Sequence, residues 1–413
     1  MTPANYKRMS QAPTPPNLYP MRALVVDDVP ETGLAIAHFL SHMCGGGARV
    51  ANGASEAIAI LERAPVDILI SDLRMPGRDG VSLLTEVQSR WPSTLRILFT
   101  GQSHWEAALN SISHCHQLLS KPAELQHLGA LVNRIAPWFD GTLDRVLADC
   151  LGGLSVLPSA PQNVEALQTL LSQRSPRSAD LAALIRRDPA LSLRVLQIAN
   201  ASFFGGGSRV SDVDGAVSLV GVQCLQDLHR RRTLCTPWAS AQRPHFDIER
   251  MTRHAVVVAQ TAKATIRDPR AAETAYTAGL LHSIGHLILQ LASPAGMESP
   301  TVPSRGVPER LAGQLLSYWG LPSQIIKAVA TTHEPPDEDT FGPASAVYLS
   351  RKIVDVVRTE AMGPVHPDLP LSDTFVFRHQ LEEALPRLVD KAAQSELQTR
   401  RTISPVAAMM VAM

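Results

Sequence analysis

Between residues 22 and 138 short apolar runs alternate with longer segments of helical spacing, and this alternation constrains the fold more than any other feature of the chain. Residues 23–26, 66–71, 95–99 and 118–120 are strand-like, with a weaker strand at 49–51; residues 31–43, 55–63, 80–90, 105–112 and 124–135 carry helical spacing. Parallel strands need crossovers, and helices that cover both faces of a sheet supply them. The pattern predicts an α/β doubly wound, five-stranded parallel sheet, whose working residues sit at the carboxyl ends of its strands.

Those ends carry a coherent chemistry. The first strand finishes in Asp27-Asp28 and the third in Asp72, the fourth in Thr100 and the fifth in Lys121-Pro122. Carboxylates gathered at one edge repel one another unless a hard cation joins them, and Mg2+ is the natural guest for oxygen ligands that leave room for water. A carboxylate nucleophile, a metal, a hydroxyl and an ammonium together can accept a phosphoryl group. A lone Asp after a strand is more often a helix cap or turn former. Residues of these types at successive strand ends make that account insufficient.

With D-L-R-M-P-G-R-D-G at 72–80 and L-L-S-K-P at 118–122, residues 22–135 resemble the receiver domain of two-component response regulators, a flavodoxin-like fold. The resemblance implies Asp72 as phosphoacceptor, Asp27, Asp28, Asp72 and the Arg74 backbone carbonyl as Mg2+ ligands, and Thr100 and Lys121 as stabilisers of the phosphoryl group. It implies a sensor histidine kinase as phosphate donor. At the switch position on the fifth strand, where the family usually carries an aromatic ring, this chain has Leu118.

From about Thr142 onward apolar residues recur at spacings of three and four, predicting an all-α region. Ser178 is expected to cap one helix, and Asp188-Pro189 to break the chain before the next. The uncharged stretch 274–297 reads as one buried helix, because its densest apolar part is too short to span a bilayer. Leu157-Pro158, D-P-A-L-S-L-R-V-L-Q-I-A-N at 188–200, Phe203-Phe204-Gly205, A-V-S-L-V-G at 216–221 and G-L-L-H-S-I-G at 279–285 resemble the HDOD domain over residues 151–358. HDOD domains are similar in fold to HD phosphohydrolases, generally lack their full metal set and act in signalling.

An HD enzyme needs histidines and carboxylates around one or two metals. Here His254, His282 and His333 remain, but the Asp of the His-Asp pair is Ser283, Pro308-Glu309 stands near a further His position, Thr332 replaces the first His of a pair, and Arg351 falls near the final Asp. His254, His282, Ser283 and His333 are therefore expected to be degenerate HD positions that hold no metal, and the domain to be non-catalytic. His286, one turn after His282, comes without an H-E-x-x-H motif.

Two other classes compete: a metal-dependent HD-type phosphodiesterase, and a nucleic-acid-binding regulator using Arg230–Arg232. Missing carboxylates oppose the first. Against the second stand a net charge of zero, from 38 basic and 38 acidic residues, and the lack of aromatics interleaved with the arginines. The five scattered cysteines form no C-x-x-C pair, which fits a reducing cytoplasm. The expected organisation is a disordered leader at 1–20, a receiver at 21–138, an HDOD domain at 139–360, and at 361–413 a Pro-rich linker with an amphipathic helix over 377–393. Leu381, Leu385, Leu388 and Val389 share one face of that helix, which would pack on the bundle or on a second copy of the chain. The whole reads as a phosphorelay response regulator that signals through an HDOD domain to a protein partner, with no membrane or nucleic-acid role.

Overall fold

The computed structural model describes residues 20–101, 109–121, 125–139, 143–201, 209–293, 306–360 and 371–403. Residues 1–19 of the leader, the first half of the 105–112 helix, Pro122, Phe203-Phe204-Gly205, the Pro-rich linker and the last ten residues lie outside the described residues.

Strands β1 (Met21–Val26), β2 (Gly45–Ala51), β3 (Ile68–Asp72), β4 (Leu95–Gly101) and β5 (Gln117–Lys121) form a parallel sheet in the order β2-β1-β3-β4-β5. The helices between and after them are α1 (Pro30–Cys44), α2 (Ala54–Arg63), α3 (Gly80–Arg90) and α4 (Leu125–Ile135). Side chains alternate across each strand: Ala23, Val25, Ile68, Ile70, Ile97 and Phe99 bury against α1 and α4, while Leu24, Val26, Leu69 and Leu98 bury against α2 and α3. The near-continuous apolar runs in the sequence are the signature of a sheet covered on both faces. The sheet order reverses between β2 and β3 on either side of β1, where a crevice opens at the carboxyl ends.

The second half is helical, as expected: α5 (Arg145–Gly153), α6 (Pro161–Leu171), α7 (Ser178–Ile185), α8 (Pro189–Asn200), α9 (Val213–Val220), α10 (Val222–Arg230), α11 (Ile248–Thr265), α12 (Pro269–Leu281), α13 (Ile284–Ala292), α14 (Val307–Tyr318), α15 (Ser323–Ala330) and α16 (Pro343–Glu360). Two-residue strands, Pro158–Ser159 and Thr236–Pro237, pair beside α8. Residues 189–199 of α8 are all buried, making it the central helix. Asp188 caps it, accepting from the Leu191 N–H at 2.9 Å, with Pro189 in the first turn.

Three local expectations are corrected. Ser178 is the first helical residue of α7 rather than its cap; Arg177 holds that position without a side-chain bond, since a residue already helical cannot turn its hydroxyl back to the free N–H groups. The 274–297 stretch contains two helices, because the chain turns at His282-Ser283 between α12 and α13. The 377–393 helix is also divided: α17 (Asp373–Arg378) ends before Gln380, whose φ of 52° is left-handed, and α18 (Leu385–Ile403) follows. Leu381, Leu385, Leu388 and Val389 pack with Val257, Val258 and Tyr348 of α11 and α16, so the tail covers this chain's own bundle.

The two halves share one core. Leu109, Ile112, Leu119, Leu131 and Ile135 from the sheet domain belong to the same apolar cluster as Leu151, Leu191, Leu315 and Trp319. Buried Arg96 of β4 donates to the carbonyls of Pro92, Thr94 and His114, and to Gly152 of α5 at 2.7 Å. His116 Nε2 reaches the same Gly152 carbonyl at 3.0 Å, and Gln117 donates to the Tyr318 carbonyl at 2.7 Å. Only glycine fits at 152, where a Cβ would stand 2.1 Å from the Pro92 oxygen.

The turn at residue 282 makes stability pH-dependent. Burial pushes the His282 imidazole down to about 3, aided by Arg351, while its Nδ1 lies 2.6 Å from the Gly279 carbonyl. The unfolded ring takes a proton near pH 6.5 and the folded ring does not, so stability present above that pH is lost as pH falls toward 3. The urea midpoint should fall between about pH 6.5 and 4.5, with a limiting slope for this group of about 1.4 kcal/mol per pH unit. His282→Gln should flatten the slope; an unchanged slope would show that residue 282 does not cause it.

Candidate functional site

At the carboxyl edge of the sheet, Asp27 follows β1, Asp28 comes next, and Asp72 ends β3. One oxygen from each of these carboxylates lies within 4.8 Å of the others, the sole such cluster of metal-ligating side chains among the described residues. Asp27 is 2% exposed, Asp72 is half-buried and Asp28 is open to solvent. Backbone donors orient the set: the Val29 N–H reaches Asp27 Oδ1 at 2.9 Å, and the Leu73 N–H reaches Asp72 Oδ1 at 2.8 Å.

Lys121 closes the edge from β5. Its Nζ stands 2.8 Å from Asp72 Oδ1 and 3.2 Å from Asp27 Oδ2. Burial alone would lower this ammonium, but the hydrogen bond to Asp72 and the charges of both carboxylates outweigh it and raise its pKa. Thr100 is buried at the end of β4, its hydroxyl donating to the Gly101 carbonyl at 3.4 Å. Arg74 is exposed on the loop after β3. That loop closes tightly: the Gly80 N–H donates to the Leu73 carbonyl at 2.9 Å, and a Cβ on Gly80 would stand 2.1 Å from the Asp72 backbone carbonyl oxygen. Leu118 is buried beside Leu98 under the same edge. Hard oxygen donors with one exposed member suit Mg2+.

The positions expected from the sequence to be degenerate HD sites lie near one another in the helical half. His254 of α11 and His282 have ring centroids 5.3 Å apart, and His254 Nε2 is 3.7 Å from Asp355. Arg351 reaches Glu309 Oε1 at 2.6 Å and Thr332 Oγ1 at 3.3 Å. The charges of Arg351 and His333 both act on Glu309, whose pKa is lowered despite its burial. Ser283 Oγ and His333 Nδ1 are buried without a hydrogen-bond partner. A guanidinium thus stands among the remaining histidines and neutralises the carboxylate there. The sequence reading missed this pair, although a cation and an anion at two altered ligand positions were its visible signal.

The Arg230–Arg232 run is partly engaged. Arg230 pairs with Asp227 and Arg231 with Asn110 of the sheet domain, while Arg232 takes a left-handed φ of 57° beyond the end of α10. No helix among the described residues is long and apolar enough to cross a membrane.

Comparison with known proteins agrees with this architecture. Residues 23–133 match the response regulator receiver domain and residues 157–303 match the HDOD domain. The chain is 38% identical over 79 residues to the hydrogenase transcriptional regulatory protein HoxA of Cupriavidus necator, covering 19% of this chain and 16% of HoxA. It is 37% identical over 84 residues to the DNA-binding transcriptional regulator NtrC of Escherichia coli, covering 20% of this chain and 18% of NtrC. An uncharacterised protein of Treponema pallidum is 25% identical over 269 residues, covering 60% of this chain and 50% of that one. The match thus spans half or less of each of these curated relatives. Among solved structures, the MmoQ response regulator from Methylococcus capsulatus aligns with 57% of this chain and 98% of its own, at 26% identity and a TM-score of 0.46. The chain carries a response regulator receiver domain followed by an HDOD domain.

Proposed function

We propose that the protein accepts a phosphoryl group on Asp72 from a sensor histidine kinase in the cytoplasm, and signals through a non-catalytic HDOD domain that binds a protein partner. The observation that carries this reading is the Asp72 carboxylate, held 2.8 Å from the Lys121 ammonium beside Asp27 and Asp28. An Asp72 oxygen attacks phosphorus, a P–O bond forms, and the bond to the donor's leaving atom breaks. Lys121 neutralises the incoming oxygens, and Thr100 can turn its hydroxyl to them. Asp27, Asp28, Asp72 and the Arg74 carbonyl would hold Mg2+, which when bound supplies positive charge to the transferring group.

Transmission would run through the segment after β4. Its described part, residues 109–117, carries the Ile112 carbonyl bonded to Arg194 of α8 at 3.4 Å, Asn110 bonded to Arg231, and Gln117 bonded to the Tyr318 carbonyl. Movement at Thr100 therefore needs only one strand-to-helix connection to reach the HDOD domain. The Arg351–Glu309 pair supports a non-catalytic reading of that domain. The free cysteines, four of the five buried, fit a reducing compartment.

Labelling tests the assignment. Wild-type protein given radiolabelled acetyl phosphate should acquire acid-stable, base-labile label, and Asp72→Asn should acquire none; equal labelling of the variant would overturn it. Chelating divalent cations, or replacing Asp28 by Ala, should slow labelling at least about tenfold, the effect of losing roughly 1.4 kcal/mol of transition-state stabilisation. Affinity capture with beryllofluoride-treated protein should change which protein the HDOD domain retains, and identical capture with Asp72→Asn would refute the proposed output.

A further inference from the structure

A cavity of about 650 Å³ opens where the receiver's last helix, α4, meets α14 and α15 of the HDOD domain. Arg134 of α4 and Arg209 of the HDOD domain both line it, with Trp138, Ser323 and Lys327. Four other buried or half-buried guanidiniums meet oxygen with at least one N–H: Arg96 has four carbonyls, Arg186 has Asp214 and Glu273, Arg194 has Gln197 and two carbonyls although its Nη2 is unpartnered, and Arg351 has Glu309. Arg134 makes no such bond among the described residues, and its Nε is fully buried without a partner. Burial and the charge of Arg209 lower its pKa to about 9. Arg209 spends one N–H on the Gly320 carbonyl at 2.6 Å and makes no ion pair among the described residues.

Two like charges converge here from two domains, and no carboxylate among the described residues lines the cavity between them, an arrangement that costs free energy unless an anion joins them. Planar guanidiniums suit the oxygens of a phosphate. The first residue of α15, Ser323, presents a hydroxyl to the same space, and Lys327 lies one turn on, paired with Glu338 at 2.6 Å. The remaining wall is apolar and includes Pro137, Trp138 and Ile326. We propose that this interdomain cavity binds a phosphate monoester carrying a planar ring, of mononucleotide size, with Arg134 and Arg209 on the phosphate and the ring against the Trp138 wall. Because the two arginines come from different domains, the ligand would clamp the receiver to the HDOD domain from a position separate from the Asp72 edge.

Calorimetric titration of the full chain tests this with AMP, GMP, CMP and UMP, inorganic phosphate and adenosine as separate probes. At least one mononucleotide should bind saturably, and about tenfold or more tighter than phosphate or adenosine alone. Arg134→Gln and Arg209→Gln should each weaken that binding at least about tenfold. Removing a desolvated charge should also leave Arg134→Gln at least as heat-stable as wild type without ligand, so lost binding would not report misfolding. The proposal fails if no mononucleotide binds, if phosphate binds as tightly as the nucleotides, or if either variant binds like wild type.

Discussion

A single buried guanidinium sets the relation between the two halves of this molecule. Arg96 lies within the sheet at 1% exposure, where a positive charge is tolerable only if its donors are met. It meets them with carbonyls from the turn before β4, the turn before β5 and helix α5. Burial lowers its pKa to about 10, so it remains charged at neutral pH. The helical half is thereby anchored, through α5, to the amino-terminal end of β4, the strand whose other end carries Thr100.

The protein contains two charged centres, and they differ in how charge is supplied. At the receiver edge the carboxylates keep an exposed member, Asp28, and the tethered cation Lys121 approaches from one side. In the helical half the cation is part of the chain: Arg351 binds Glu309 beside His254, His282 and His333. The first arrangement leaves oxygen ligands open to an ion and a substrate. The second directs its carboxylate to a side chain and leaves His282 neutral at physiological pH.

Much of the receiver was legible because its inner strands are buried on both faces, so β1, β3, β4 and β5 wrote themselves as apolar runs closing on a residue of the candidate site. Helix α3 over Gly80–Arg90 was read without error, since Asp79 caps it and Arg90 ends it. β2 was read too short because Gly45, Gly46 and Gly47 look like a turn, although the pairing with β1 begins at Gly45. The break at His282-Ser283 left no mark in composition, because both flanking helices are apolar and no Gly or Pro stands at the turn itself. The interdomain bonds were invisible for another reason: Arg96 and Gln117 are satisfied by backbone carbonyls, which no side-chain pattern announces.

The Arg351–Glu309 pair also bears on how the two domains respond to their surroundings. A centre whose positive charge is covalently part of the polypeptide cannot be emptied by a chelator, filled with the wrong transition metal, or oxidised along with a bound iron. The HDOD half therefore keeps its central charge through starvation or oxidative stress. Among the described residues, the receiver edge is where carboxylates open to solvent gather close enough to meet an ion drawn from the medium.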